Sequence, residues 1–138
     1  MKLLSLALVL LLTSAFTGAD IKEQLIGKWS GTEGGELGSF IFDSDGFITI
    51  ENNGEITGGR EFQIKEKKAQ ANYFIDDSTT PFKIDIVFSE IETKSVIGKL
   101  EGIFELMDDG RMRIAFGFGY TKMRPTNFDD SVILVKER

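Results

Sequence analysis

Polar and apolar residues alternate through most of the chain after residue 26, a period of two that is typical of β-strands with one buried face. The clearest example is 82–88, where apolar residues at every second position face one side. Residue pairs that favour tight turns separate such segments, namely Asp45-Gly46, Asn53-Gly54 and Asp109-Gly110. Only residues 20–25, which begin with an aspartate, predict a short helical turn.

The spacing of these segments predicts eight or nine short strands joined mainly by hairpins, which is an antiparallel up-and-down meander. An open meander leaves two unpaired edges, and closure into a barrel removes both of them. A two-layer sandwich is the competing architecture, but sandwiches usually need longer connections than this chain offers. The sequence therefore predicts an all-β protein whose strands close into one barrel.

Large apolar side chains dominate the predicted inward face of this barrel. The inward positions are Trp29, Phe40, Phe42, Ile48, Ile50, Phe62, Ile64, Tyr73, Ile75, Phe82, Ile84, Ile86, Phe88, Leu100, Phe104, Leu106, Met112, Ile114, Phe116, Phe118, Val132 and Leu134. A barrel of about eight strands either is filled by such side chains or holds one small ligand. The candidate contacts for a small hydrophobic ligand are Phe42, Phe62, Tyr73, Phe88, Phe104, Phe116 and Phe118. The alternative is a filled barrel that acts as a structural or protein-interaction module.

The N-terminal residues have the features of a secretory signal peptide. Lys2 supplies the positive charge, residues 3–12 form an apolar run, and small residues precede an expected cleavage site between Ala19 and Asp20. The apolar run is shorter than the ~20 residues that a membrane-spanning helix needs. We therefore expect 1–19 to be removed and 20–138 to form one exported domain, periplasmic or secreted, that does not insert into a membrane.

The formal charge of −6 narrows the choice of partners. Nucleic acids and anionic membranes both attract clusters of Lys and Arg, so we expect neither to bind this acidic chain. A length of 138 residues, less the signal peptide, is that of a single domain. Nothing in the sequence assigns an oligomeric state.

The chain contains no histidine and no cysteine, which removes several kinds of functional site. Ser-His-Asp and Cys-His centres are excluded, as are ordinary zinc and copper sites and haem held by histidine. Neighbouring carboxylates remain at Asp43/Asp45, Asp76/Asp77, Asp108/Asp109 and Asp129/Asp130. Because aspartate favours turns, we interpret these residues as turn-forming rather than as acid–base pairs. No catalytic residue, metal site or cofactor is predicted, and the protein is not expected to be an enzyme.

Gly27-Lys28-Trp29, on the first predicted strand, resembles the Gly-x-Trp signature of lipocalins and related calycin barrels. Three later stretches resemble an uncharacterised bacterial family of exported lipocalin-like domains that is abundant in planctomycetes. They are 73–85 with its Pro81-Phe82-Lys83-Ile84-Asp85, then Gly102-Ile103-Phe104-Glu105-Leu106, and finally Arg124-Pro125-Thr126-Asn127-Phe128 followed by 132–138. The chain departs from that family in having Phe104 where tyrosine is usual and in lacking a cysteine within 112–118.

The resemblance implies a lipocalin-like barrel but brings no established activity with it. In lipocalins the tryptophan closes one end of the barrel, and an arginine near the last strand packs over it. Gly27 and Trp29 are therefore the expected closure residues, with Arg124 or Arg138 as the covering cation. We interpret Trp29 as a structural plug and 124–128 as a rigid loop that crosses back to the barrel. The expected function is the binding of a small hydrophobic molecule.

Overall fold

The structure, a computed structural model, describes residues 19–31, 38–117 and 123–138, with side chains from residue 21 onward. The expected signal peptide, apart from Ala19, and the candidate ligand contact Phe118 lie outside these ranges. The described elements are α1 (Ala19–Leu25), β1 (Gly27–Gly31), β2 (Gly38–Phe42), β3 (Ile48–Asn52), β4 (Glu55–Gly58), β5 (Phe62–Ile64), β6 (Lys67–Asp76), β7 (Phe82–Glu90), β8 (Val96–Leu106), β9 (Met112–Phe116) and β10 (Val132–Lys136). Within the described ranges, no helix has the length and apolar character needed to cross a membrane.

The strands form one antiparallel sheet that curls into a nearly closed barrel. Their order is β4-β3-β2-β1-β10-β9-β8-β7-β6-β5, so the last strand of the chain pairs with the first. In that pairing Trp29 lies opposite Lys136, and Gly31 lies opposite Leu134. Apart from β4 and β5, consecutive strands are neighbours in the sheet, which is an up-and-down topology. The predicted all-β barrel is confirmed, and its architecture is compatible with a lipocalin-like fold.

A seam in the barrel wall separates β4 from β5, the two strands at the ends of the order. Backbone hydrogen bonds close one end of this seam. Tyr73 donates its N–H to the carbonyl oxygen of Gly46 at 3.0 Å, and Ala71 donates to Gly59 at 3.0 Å. Gly59 in turn donates to the carbonyl oxygen of Ile48 at 2.7 Å. These bonds link β6 to the β2–β3 and β4–β5 connections and make the ring of strands nearly complete.

A bend at Gly58-Gly59 makes this closure possible. Both residues have positive φ angles, of 91° and 81°. A Cβ atom on Gly58 would lie 2.5 Å from the carbonyl oxygen of Ile48. Glycine is the residue that accepts both this backbone conformation and this close approach.

The hairpin turns are also confirmed, and the structure has one strand more than the larger of the two predicted counts. Asn53 and Gly54, with φ angles of 52° and 79°, form the turn between β3 and β4. The first three residues of β4 are exposed, so this strand lacks the alternation of apolar and polar residues by which the other strands were predicted. The structure therefore has ten strands rather than eight or nine.

Apolar side chains fill much of the barrel interior. The largest fully buried ones are Phe42, Phe104, Leu25, Ile48, Ile84, Ile86, Met112, Ile114 and Leu134. Phe42 and Tyr73 pack edge to face, with ring centroids 5.0 Å apart, and the rings of Phe82 and Phe104 lie 5.3 Å apart. Such pairs add to the free energy gained by burial alone.

Candidate functional site at the open end of the barrel

The two ends of the barrel are built differently. Helix α1 and the connections that follow β2, β6 and β8 lie at one end, which we call the closed end. The turns that follow β3 and β5, the connection that follows β7 and the last residue of β9 lie at the opposite end, which we call the open end.

A cavity of about 280 Å³ lies at this open end, and we call it the mouth cavity. Most of its large apolar lining residues lie on the inward faces of β2, β3, β9 and β10, and Ala115 and Ile133 line it as well. The inward ones are Phe40, Ile50, Ile114, Phe116, Val132 and Leu134. Its polar lining residues are Ser39, Glu51, Asn52 and Asp130. Small-molecule sites typically measure roughly 300–1,000 Å³ and are mostly apolar with few polar groups. The mouth cavity is thus suited to a small and largely apolar molecule.

Gly102 determines how Phe116 contributes to the cavity wall. The two residues are register partners on β8 and β9. A Cβ atom at position 102 would lie 2.6 Å from Cδ1 of Phe116 and 2.7 Å from the carbonyl oxygen of Ala115. The ring of Phe116 also packs against that of Phe40, with centroids 5.9 Å apart. The glycine therefore leaves the space in which the Phe116 ring lies across its neighbouring strand.

The structure separates the predicted ligand contacts into different regions. Phe116 lines the mouth cavity. Three others are buried in the packed part of the interior: Phe42, Tyr73 and Phe104. Phe62 and Phe88 pack against each other on β5 and β7, with ring centroids 6.2 Å apart.

The other apolar lining residues were predicted to face inward but were not assigned to the ligand site. Phe40, Ile50 and Val132 lie within two residues of a strand end that faces the mouth. The Asn53-Gly54 turn in the sequence marks where β3 ends. It therefore indicated that Ile50 lies close to that end of the barrel. The position of Val132 depends on the register between β9 and β10, which the alternation of residue types does not specify.

Trp29, the residue predicted to be a structural plug, is buried at the opposite end of the barrel. Its side chain is 2% exposed, and its indole N–H donates to the carbonyl oxygen of Leu25 at 2.9 Å. Leu25 is the last residue of α1 and is itself fully buried. The indole therefore fills the closed end and also satisfies a carbonyl group at the C-terminal end of the helix.

The described cation over the indole is Lys136, rather than Arg124 or Arg138. The Lys136 Nζ atom lies 5.7 Å from the Trp29 ring centroid and donates to the carbonyl oxygen of Gln24 at 3.0 Å. A Cβ atom on Gly27 would lie 2.8 Å from Cε of Lys136, so this glycine makes room for the lysine side chain. The expected arginine is replaced because the register of β10 on β1 places Lys136 opposite Trp29.

Arg124 lies on the outer face of the barrel. Its guanidinium donates to the carbonyl oxygen of Gly102 and to the Asp85 carboxylate, both at 2.7 Å. Nearby, Phe128 packs under the Arg113 guanidinium at 5.6 Å. The predicted structural role of 124–128 is thus supported by these contacts, although the loop packs on the outside of β7–β9.

One carboxylate in each of three of the neighbouring carboxylate pairs accepts a backbone hydrogen bond within a turn: Asp43 from Asp45, Asp76 from Ser78 and Asp109 from Arg111. Asp43 and Asp45 both pair with Arg60. Hydrogen bonds from Ser78 hold the pKa of Asp76 below its ordinary value, and hydrogen bonds from Arg111 lower the pKa of Asp109. A general acid at neutral pH needs the opposite, a raised pKa.

The described residues contain no group of three or more acidic side chains placed to hold a metal ion. No protein-family model, curated protein or solved structure matches the chain. Its function must therefore be argued from the geometry of the barrel and its mouth cavity.

Proposed function

We propose that this protein is an exported, lipocalin-like barrel that binds a small hydrophobic molecule in the mouth cavity and catalyses no reaction. The observation that carries the proposal is the cavity of about 280 Å³ with inward apolar walls at one end of an otherwise packed barrel. Ligand sites are typically mostly apolar clefts with a few polar groups, and the mouth cavity has that lining, so it is a candidate binding site.

The shape of the barrel supports binding at the mouth rather than deep inside. The packed part of the interior includes fully buried side chains such as Phe42, Phe104 and Met112. A ligand in that region would have to displace well-packed side chains, which would cost several kcal/mol. A ligand in the mouth cavity would contact Phe40, Phe116 and their neighbours without such repacking.

The second candidate function is that of a filled barrel acting as a structural or protein-interaction module. The packed interior described above favours it, because that region leaves no space for a ligand. The two functions make different predictions for the mouth cavity. It would be empty in a structural or interaction module and would hold a ligand in a binding protein.

Native mass spectrometry of the protein purified from its own host tests the proposal. We expect a co-purifying small molecule on the unmodified protein and its loss from the variant Val132→Trp, whose indole would fill the cavity mouth. Val135→Trp is the matched control, because both valines are on β10 and both are substantially exposed, at 50% and 41%, but Val135 does not line the cavity. If the unmodified protein carries no small molecule and binds no added octanol, the module function replaces the binding function.

A further inference from the structure

The charges around the mouth cavity indicate which ligands it can accept. Some of its polar lining side chains already form a hydrogen bond or an ion pair with another described residue, and others do not. The Ser39 hydroxyl lies 2.9 Å from the Ser30 hydroxyl, and the Glu51 carboxylate lies 3.1 Å from Lys28 Nζ. Both of these contacts are on the outer face of the sheet, where Ser39 and Glu51 alternate with the inward residues Phe40 and Ile50. Ser39 and Glu51 are therefore already engaged.

Asn52 and Asp130 remain available to a ligand. Asn52 follows Ile50 on the inward face of β3 and is exposed at the rim. Asp130 lies just before β10, and among the described residues its carboxylate forms no ion pair. The described lining of the cavity contains no lysine or arginine. Within the described part of the rim, Asp130 thus presents a carboxylate without an ion pair, and Asn52 presents a neutral amide.

We propose that the mouth cavity selects apolar molecules with a cationic head group, such as a primary ammonium, over molecules with a carboxylate. This inference rests on the proposed function, since it concerns the ligand class of the same site. An ammonium at the rim is attracted by Asp130 and can donate to the amide oxygen of Asn52, whereas a carboxylate is repelled by Asp130 and meets no described cation. The apolar body of either molecule would occupy the same walls.

The test compares octylamine, octanol and octanoate, which share one apolar chain and differ in head-group charge, by calorimetric titration at neutral pH. We expect octylamine to bind at least about tenfold more tightly than octanoate, with octanol between them. The ratio should narrow at high ionic strength, because salt screens exposed charges.

Asp130→Asn is expected to reduce the ratio of octylamine to octanoate affinity several-fold. Asp129→Asn is the matched control, because it removes the same charge from the neighbouring residue, which does not line the cavity. If octanoate binds as tightly as octylamine or more tightly, or if the two variants have equal effects, the proposed charge selection is wrong. The proposed function would still stand in that case, provided that octanol binds. Failure of octanol itself to bind would instead remove the proposed function, and the selection with it.

Discussion

Replacing Trp29 by alanine is the most direct test of how the barrel is closed. The side chain is 2% exposed, so nearly all of its apolar surface is lost from the core. Removal of a buried large aromatic typically costs about 3–5 kcal/mol of unfolding free energy. Loss of the hydrogen bond to Leu25 adds about 1 kcal/mol to this cost. Loss of the cation–π contact with the exposed Lys136 adds about 0.5–1 kcal/mol.

These contributions are not additive, so we expect Trp29→Ala to lower the free energy of unfolding by about 4 kcal/mol. That is a large fraction of the roughly 5–15 kcal/mol typical of a folded domain. Trp29→Phe keeps most of the apolar contact but removes the N–H donor. It should therefore cost about 1–2 kcal/mol, and it remains measurable if the alanine variant does not fold.

The measurement is equilibrium unfolding in urea followed by far-ultraviolet circular dichroism, because Trp29 is the only tryptophan and its fluorescence is lost in both variants. Phe74→Ala is the control, since this ring is 59% exposed on the outer face of β6 and should cost less than about 0.5 kcal/mol. A loss below about 2 kcal/mol for Trp29→Ala would refute the assignment of the indole as the plug of the closed end.

Two further predictions concern Arg124 and Tyr73. Arg124→Met should lower the free energy of unfolding by about 1.5–3 kcal/mol, because it removes charge-assisted hydrogen bonds to Gly102 and Asp85. Arg60→Met, which removes an exposed ion pair, should cost less than about 1 kcal/mol, and equal losses in urea unfolding would contradict this reasoning. Burial and the nearby Asp43 raise the pKa of Tyr73 above 10.0. The tyrosine therefore ionises in the unfolded chain at a lower pH than in the folded protein. The contribution of Tyr73 to the free energy of unfolding is consequently lost as pH rises through its pKa in the folded protein. The stability difference between the unmodified protein and Tyr73→Phe should therefore shrink above pH 10.0, and a constant difference across that range would refute it.

Much of the fold follows from local chemistry in the sequence. The Asn53-Gly54 turn and the bend at Gly58-Gly59 use positive φ angles that glycine accepts readily, so the residues that mark them are visible without a structure. The alternation in β7 likewise predicts which face is buried, and Ile84 and Ile86 are indeed almost fully buried. These features depend on residues close together in the chain.

The candidate site depends instead on register between distant strands. Lys136 meets Trp29, and Phe116 meets Gly102, because of how particular strands are aligned. Residue alternation distinguishes inward from outward positions, but it does not say which inward residues share the packed core and which reach the mouth. For that reason buried rings such as Phe104 were predicted as ligand contacts alongside Phe116. The arginine expected over the indole followed from the resemblance to lipocalins, which does not specify the register of β10 on β1.

The pairing of β10 with β1 brings the two ends of the folded domain together. The backbone N–H of Glu137 donates to the carbonyl oxygen of Lys28 at 2.8 Å, so the C-terminal residues run beside the start of the barrel. A circular permutant could therefore join these ends by a short linker and open the chain between β4 and β5, where no ladder joins the strands. In that permutant every strand would follow its spatial neighbour from one border of the sheet to the other.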